Sequence, residues 1–207
     1  MMETVASSDV GIWWVRHHTA HPSWLTAGTT PAERDQATRF ETLEGRSRFL
    51  AGRALVRTVV AHVCGVDPEL LIFDRHCRYC GDPHHGKPIL VGAAALRWSL
   101  SRSDDLCAVA LRPDGDIGFD IVSLAATPPL GSPAEWAAIE ATLKLSGRGL
   151  VDDPRLVQLS PSSATAPGQP EVSLTTVPLP DTIGVVAMDA PATVVVREVA
   201  GTSGVLC

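Results

Sequence analysis

Apolar and polar positions recur along this chain with two periods, and the alternation between them orders the elements. Gly11 to Arg16 (GIWWVR) is dense in bulky β-formers and reads as a first strand. Pro31 to Glu44 reads as a helix, with Thr30 as N-cap and proline in its first turn. From Gly45 to Val63, apolar Phe49, Leu50, Val56, Val59, Val60 and Val63 repeat at a helical period, with arginines on the other side. Leu70 to Phe73 reads as a short strand and Cys77 to Pro88 as a Gly/Pro/His loop. Arg97 to Leu100 and Cys107 to Leu111 read as strands joined by a polar SRSDD segment. Pro113 to Asp116 is a turn, and Ile117 to Leu124 another strand. Pro133 to Leu145 has helical character, with Ser132 as cap and Gly147 as stop. Ser160 to Pro170 (SPSSATAPGQP) has the composition of a flexible loop. Val172–Val177, Thr182–Met188 and Thr193–Val199 are three closing strands. This order predicts an α+β fold in two halves, residues 1–114 and 115–207, each with strands and one long helix.

Composition supports a folded chain. Of 207 residues, 45% are hydrophobic and 19% charged, enough to bury a core and too apolar for disorder. No apolar run is long enough to span a bilayer, and Met1 to Val10 lacks a signal-peptide pattern, so the expected address is the cytoplasm. Five cysteines at uneven spacing, Cys64, Cys77, Cys80, Cys107 and Cys207, read as free thiols. The net charge of −6 argues against a nucleic-acid partner. Its distribution changes the picture more. Residues 1–114 hold 13 basic and 13 acidic side chains, whereas residues 115–207 hold 4 and 10. A cleft between two such halves would set cations against carboxylates.

Several residues then stand out. Asp120 lies inside the apolar strand segment GFDIV, where an acid needs a partner, a hydrogen bond or a metal. Trp136, Glu140 and Lys144 follow i, i+4, i+8 and share one helix face. They read either as an exposed ion pair or as a carboxylate for a metal or proton with a phosphate-binding ammonium one turn on. Lys87 sits between Gly86 and Pro88. Ser101 and Arg102, in WSLSRS, combine a hydroxyl and a guanidinium in a short segment suited to phosphate oxygens or to an ordinary surface turn. Six arginines between Arg34 and Arg57 make either a solvated helix face or an electropositive one.

The order and spacing of RSRFLAGRALVR (46–57), GKP (86–88), WSLSRS (98–103), IGFDI (117–121) and WxxxExxxKxxGRG (136–149) resemble those of the Sfp-type 4′-phosphopantetheinyl transferases. Residues 183–199 also resemble the closing hairpin of that family. The resemblance implies two pseudo-twofold-related α+β halves with coenzyme A in the cleft between them. It implies magnesium-dependent transfer of 4′-phosphopantetheine to a serine of an acyl or peptidyl carrier protein, with release of 3′,5′-ADP by a monomer. Position by position, Asp120 and Glu140 match the magnesium carboxylates, and Glu140 and Lys144 the catalytic pair. Lys87 matches a lysine near the coenzyme phosphates, Arg48 a contact to the 3′-phosphate region, and Ser101 and Arg102 the Ser-His pair that meets the phosphates.

The chain also departs from that pattern. Val122 stands where many members carry a third carboxylate, Arg102 where histidine is usual, and Ile139 where lysine precedes the glutamate. Only 19 residues separate Asp120 from Glu140, a short interval for the family. These changes suit an alternative, a catalytically weak or inactive relative that binds carrier proteins. A further alternative is a zinc loop built from Cys77, Cys80 and the nearby His76, His84 and His85, serving a nucleic-acid-binding protein.

Overall fold

A computed structural model describes residues 9–77, 79–82, 86–93 and 95–201. In chain order these form β1 (Val10–Arg16), α1 (Pro22–Ala27), α2 (Pro31–Ala37), α3 (Leu43–Cys64), β2 (Phe73–Asp74), β3 (Ile89–Leu90), β4 (Arg97–Arg102), β5 (Leu106–Arg112) and β6 (Ile117–Ser123). After them come α4 (Pro133–Ser146), β7 (Gln158–Ser160), β8 (Ser163–Thr165), β9 (Val172–Leu179), β10 (Thr182–Met188) and β11 (Val194–Glu198). Helix and sheet are mixed, as the α+β expectation holds.

Two sheets carry the molecule. The first runs β11-β1-β5-β4 and the second β6-β10-β9-β8-β7, with β2-β3 as a separate ribbon. The triplets β1-β5-β4 and β6-β10-β9 repeat one order: a leading strand, then the last strand of an antiparallel pair, then the first. Each leading strand is followed along the chain by a long helix.

Strand alternation sorts the side chains into three cores. Ile12 and Trp14 of β1, Phe119 and Ile121 of β6, and Val186 and Met188 of β10 share a core between the sheets. The opposite face of the first sheet, with Trp13, Trp98 and Val109, packs on Leu55, Val59 and Val60 of α3. The opposite face of the second, with Val122, Val185 and Ala187, packs on Ala137, Ala141 and Leu143 of α4.

The long helices begin and end where their caps dictate. Thr42 accepts the Gly45 N–H at the start of α3, and Gly65 closes it at φ 66°. At α4, Ser132 and Glu135 form a reciprocal capping box, and Gly147 ends the helix at φ 78°.

Several expected boundaries differ. The helix expected over 31–44 stops at Ala37, and a second begins at Leu43. Residues 70–73 give only the last residue of a 3₁₀ turn and the first of β2. The SRSDD segment is partly strand, since β4 runs through Arg102. Residues 160–170 are not a plain loop, because β7 and β8 form a hairpin that continues onto β9. The closing strands are not a hairpin either. β10 pairs with β6 and β9, whereas β11 crosses to the first sheet and runs parallel to β1, from Val10 opposite Val194 to Trp14 opposite Glu198.

Candidate active site at the seam of the two sheets

The edge strands β4 and β6 meet where the two sheets join. Ser99 stitches them: its hydroxyl accepts the Phe119 N–H at 3.0 Å and donates to the Phe119 carbonyl at 3.3 Å. Two residues farther along β4 and one along β6, the Ser101 hydroxyl donates to Asp120 Oδ1 at 2.5 Å. Asp120 is 6% exposed, so its charge needs compensation. That compensation comes from α4, where Lys144 Nζ lies 2.5 Å from the same oxygen and 3.3 Å from Ser101 Oγ. Both bonds to the carboxylate fall on Oδ1, and Oδ2 is engaged by neither.

Gly118 sets the distance between strand and helix. A Cβ built there would stand 1.9 Å from the Ala141 carbonyl oxygen and 2.5 Å from the Leu145 nitrogen. Only glycine lets α4 lie this close to β6, and that closeness brings Lys144 to Asp120. Glu140, one turn before Lys144, is half-buried in the same cleft. Burial, and then the negative charge of Asp120, push its carboxyl above the ordinary glutamate range, with Lys144 pulling weakly the other way.

The cleft measures about 610 Å³ and gathers Arg48, Ser101, Arg102, Asp120, Glu140 and Lys144. Six of the seven residues singled out in the sequence therefore line one cavity. Arg48 stands at its α3 wall and is ion-paired with Glu44 one turn earlier. Lys87 is elsewhere. Its ammonium donates to the carbonyls of Ile117 at 2.7 Å and Leu145 at 3.1 Å, clamping its loop to β6 and the last turn of α4. Lys87 also lines a second cavity, of about 380 Å³, which shares Leu100, Arg102 and Lys144 with the first.

Val122 occupies the face of β6 that Asp120 occupies and lines the cleft with a methyl surface. Ile139 is buried in the core beneath α4, which explains its apolar character. Cys77 is buried and Cys80 exposed, and both line the second cavity. His84, His85 and Cys207 lie outside the described residues. Among the described residues, no three His, Cys, Asp or Glu side chains converge as metal ligands.

Sequence reasoning missed Ser99, Arg53 and Arg75. Ser99 is legible only as the outward-alternating neighbour of Ser101, while Arg53 and Arg75 gain meaning from the cavity they line.

The chain is 31% identical over 137 residues to the 4′-phosphopantetheinyl transferase HetI of Nostoc sp. (strain PCC 7120), across 64% of this chain and 55% of that protein. It is 31% identical over 105 residues to a phosphopantetheinyl transferase of Thraustochytrium sp., across 51% of this chain and 35% of that protein. The chain is similar to phosphopantetheinyl transferases. A third relative, the L-aminoadipate-semialdehyde dehydrogenase-phosphopantetheinyl transferase of Eremothecium gossypii, is 30% identical over 156 residues, 60% of this chain and 54% of that protein. The chain thus spans about half or less of the length of these phosphopantetheinyl transferases. No protein-family model matches it. Within the described residues, no helix is long and apolar enough to cross a membrane.

Proposed function

We propose that this chain transfers 4′-phosphopantetheine from coenzyme A to a serine of an acyl or peptidyl carrier protein, working as a cytoplasmic monomer of two pseudo-twofold halves. One observation carries the reading. In a chain similar to phosphopantetheinyl transferases, Asp120, Ser101 and Lys144 meet within hydrogen-bond reach at the seam of the sheets, with Glu140 one turn away in the same cleft.

The donor set fits a magnesium ion. It is oxygen-only, and the two acids are near enough for Asp120 to raise the Glu140 pKa, a repulsion that a cation between them would relieve. Asp120 and Glu140 would hold Mg²⁺, whose contribution when bound is to neutralise charge on the coenzyme pyrophosphate. The chain's own residues supply the rest. Arg48, Ser101 and Arg102 orient the phosphates by charge-assisted hydrogen bonds, and Lys87 fixes the wall formed by its loop. The carrier serine oxygen forms a bond to the phosphorus bearing the pantetheine arm, and the bond from that phosphorus to 3′,5′-ADP breaks. The serine proton passes to Glu140, the carboxylate one helical turn from Lys144 in the same cleft. Lys144 balances the charge on the departing phosphate.

Mass spectrometry of an apo carrier protein incubated with this chain, coenzyme A and Mg²⁺ tests the proposal. A carrier that gains one phosphopantetheine on serine is the expected result, and an unmodified carrier at any magnesium concentration would refute it. A second reading, a carrier-binding relative without catalysis, is favoured by Val122, which puts methyl groups where a third carboxylate would face the cleft. Carrier binding without modification would support that reading.

A further inference from the structure

The loop between β2 and β3 carries two thiols that play no part in the transfer chemistry. Cys77 and Cys80, with two residues between them, have the spacing at which two sulfurs of one turn can meet. The Gly81 N–H donates to the Cys77 carbonyl at 3.0 Å, and the Cys77 N–H to the Asp82 carbonyl at 2.7 Å. Gly81 closes the turn at φ 76°, a left-handed conformation that suits glycine. Cys77 is buried at the wall of the second cavity, and Cys80 is exposed.

This turn aims its donors at one sulfur. Cys77 Sγ accepts from the Cys80 N–H, from the Tyr79 N–H and from the Cys80 thiol. The Cys80 N–H first, then that of Tyr79, hold the Cys77 pKa below the ordinary cysteine range, with burial and the charge of Asp82 opposing them. Away from the turn the direction reverses. Burial raises the pKa of Cys64 and pushes that of Cys107 up to about 12.

Tyr79, between the two cysteines, ties the turn to α4. Its hydroxyl donates to the Ser146 carbonyl at 3.0 Å, satisfying one of the groups that a helix end leaves open. Arg148 covers its ring at 4.7 Å from the centroid and is itself held by Asp152 at 2.8 Å. The helix gripped in this way is the one that brings Lys144 to Asp120.

We infer that Cys77 and Cys80 form a reversible dithiol–disulfide pair, oxidised by hydroperoxides, whose redox state sets the hold of Tyr79 on the end of α4. With hydrogen peroxide, the Cys77 thiolate forms an S–O bond as the O–O bond breaks, and the departing hydroxide takes a proton and leaves as water. Cys80 Sγ then bonds to Cys77 Sγ, the S–O bond breaks, and the oxygen leaves with the Cys80 proton as a second water. Two electrons pass from the thiols to the peroxide. The new bond removes the anionic sulfur that the Tyr79 and Cys80 N–H groups share, so the turn rearranges around Tyr79. A loop this short adds little chain-entropy stabilisation, which makes the disulfide a switch and not a staple.

Titration of the full chain with hydrogen peroxide, followed by fragment mass mapping and fluorine NMR, tests the inference. Tyr79 is the chain's one tyrosine, so fluorotyrosine incorporation gives a single-site probe. In the wild type, the fragment spanning residues 77–80 should lose two hydrogens and the fluorotyrosine resonance should shift, both reversed by dithiothreitol. Cys80→Ser, at an exposed position, should keep the fold and stop at a dimedone-reactive sulfenic acid on Cys77. Cys77→Ser should slow oxidation of the turn at least about tenfold. Oxidation that falls first on Cys64 or Cys107, or that links two chains through Cys80, would overturn the pair. A disulfide that leaves the fluorotyrosine resonance in place would overturn its hold on Tyr79. One zinc ion per chain, present in the wild type and lost in Cys80→Ser, would overturn the redox assignment. Neither coenzyme nor carrier enters these measurements, so the dithiol pair and the transferase reading stand or fall separately.

Discussion

Glu140 and Lys144, one helical turn apart, sit on opposite sides of the electrostatic balance around Asp120. Because burial and Asp120 raise the Glu140 pKa, the folded chain holds that proton more tightly than the unfolded chain does. Its ionised form therefore costs stability at neutral pH, and the cost fades as pH falls through the raised pKa towards about 4, the range of an unperturbed glutamate. Glu140→Gln should unfold at a higher temperature than wild type at pH 7, with the gap closing on acidification, while carrier modification is lost. A gap that stays constant with pH would mean that Glu140 is not the group responsible. Lys144 acts the other way. Lys144→Met leaves Asp120 buried with Ser101 as its recorded partner, at a cost of about 2 kcal/mol, moderated because the ammonium is partly open to water. Adding Asp120→Asn should recover part of that loss in a denaturant-unfolding cycle, since the second change removes the stranded charge.

At the scale of elements, the approach of α4 to β6 decides whether these side chains meet at all. Gly118→Ala would drive a methyl group into the Ala141 carbonyl and should cost about 3 kcal/mol or more. It should also impair carrier modification in whatever protein still folds, because Glu140 and Lys144 would move away together. Gly65→Ala is the contrasting case. Nothing lies within 4 Å of a Cβ there, so only its positive φ matters, at about 1 kcal/mol and with no effect on transfer. A helix such as α4 was legible beforehand because Ser132, Pro133 and Gly147 carry its limits in local chemistry. The β7–β8 hairpin was not, since SPSSATAPGQP has turn composition throughout. Its strands are held by pairing of Ser163 and Ala164 with Ser173 and Val172, and by burial of Ala164, neither of which is a local property. Within the site the same division holds. Asp120, Glu140 and Lys144 announce themselves by an acid in an apolar strand and by helical spacing. Arg75 follows a two-residue strand and shows no pattern until Arg53 and Arg102 surround it.

At the scale of the whole molecule, a serine hydroxyl joins the two sheets where the cleft opens. Ser99→Ala would leave the Phe119 N–H and carbonyl without that partner at a buried edge, at a cost of about 2 kcal/mol. The same change should slacken the alignment of Ser101 with Asp120, so carrier modification should fall further than the loss of folded protein explains. Equal losses in both measurements would reduce Ser99 to a stabilising contact. The first sheet has a closure of a different kind, in the parallel pairing of β1 with β11. The two strands point the same way, so traction applied before Val10 and beyond Glu198 pulls them lengthwise past each other. The bonds from Val10 to Thr193 and from Val199 to Trp14 then bear load together, where a terminal hairpin would open one rung at a time. Drawn out by its ends in an optical trap or through the pore of an unfoldase, the chain should resist as a shear clamp and yield in a single abrupt step.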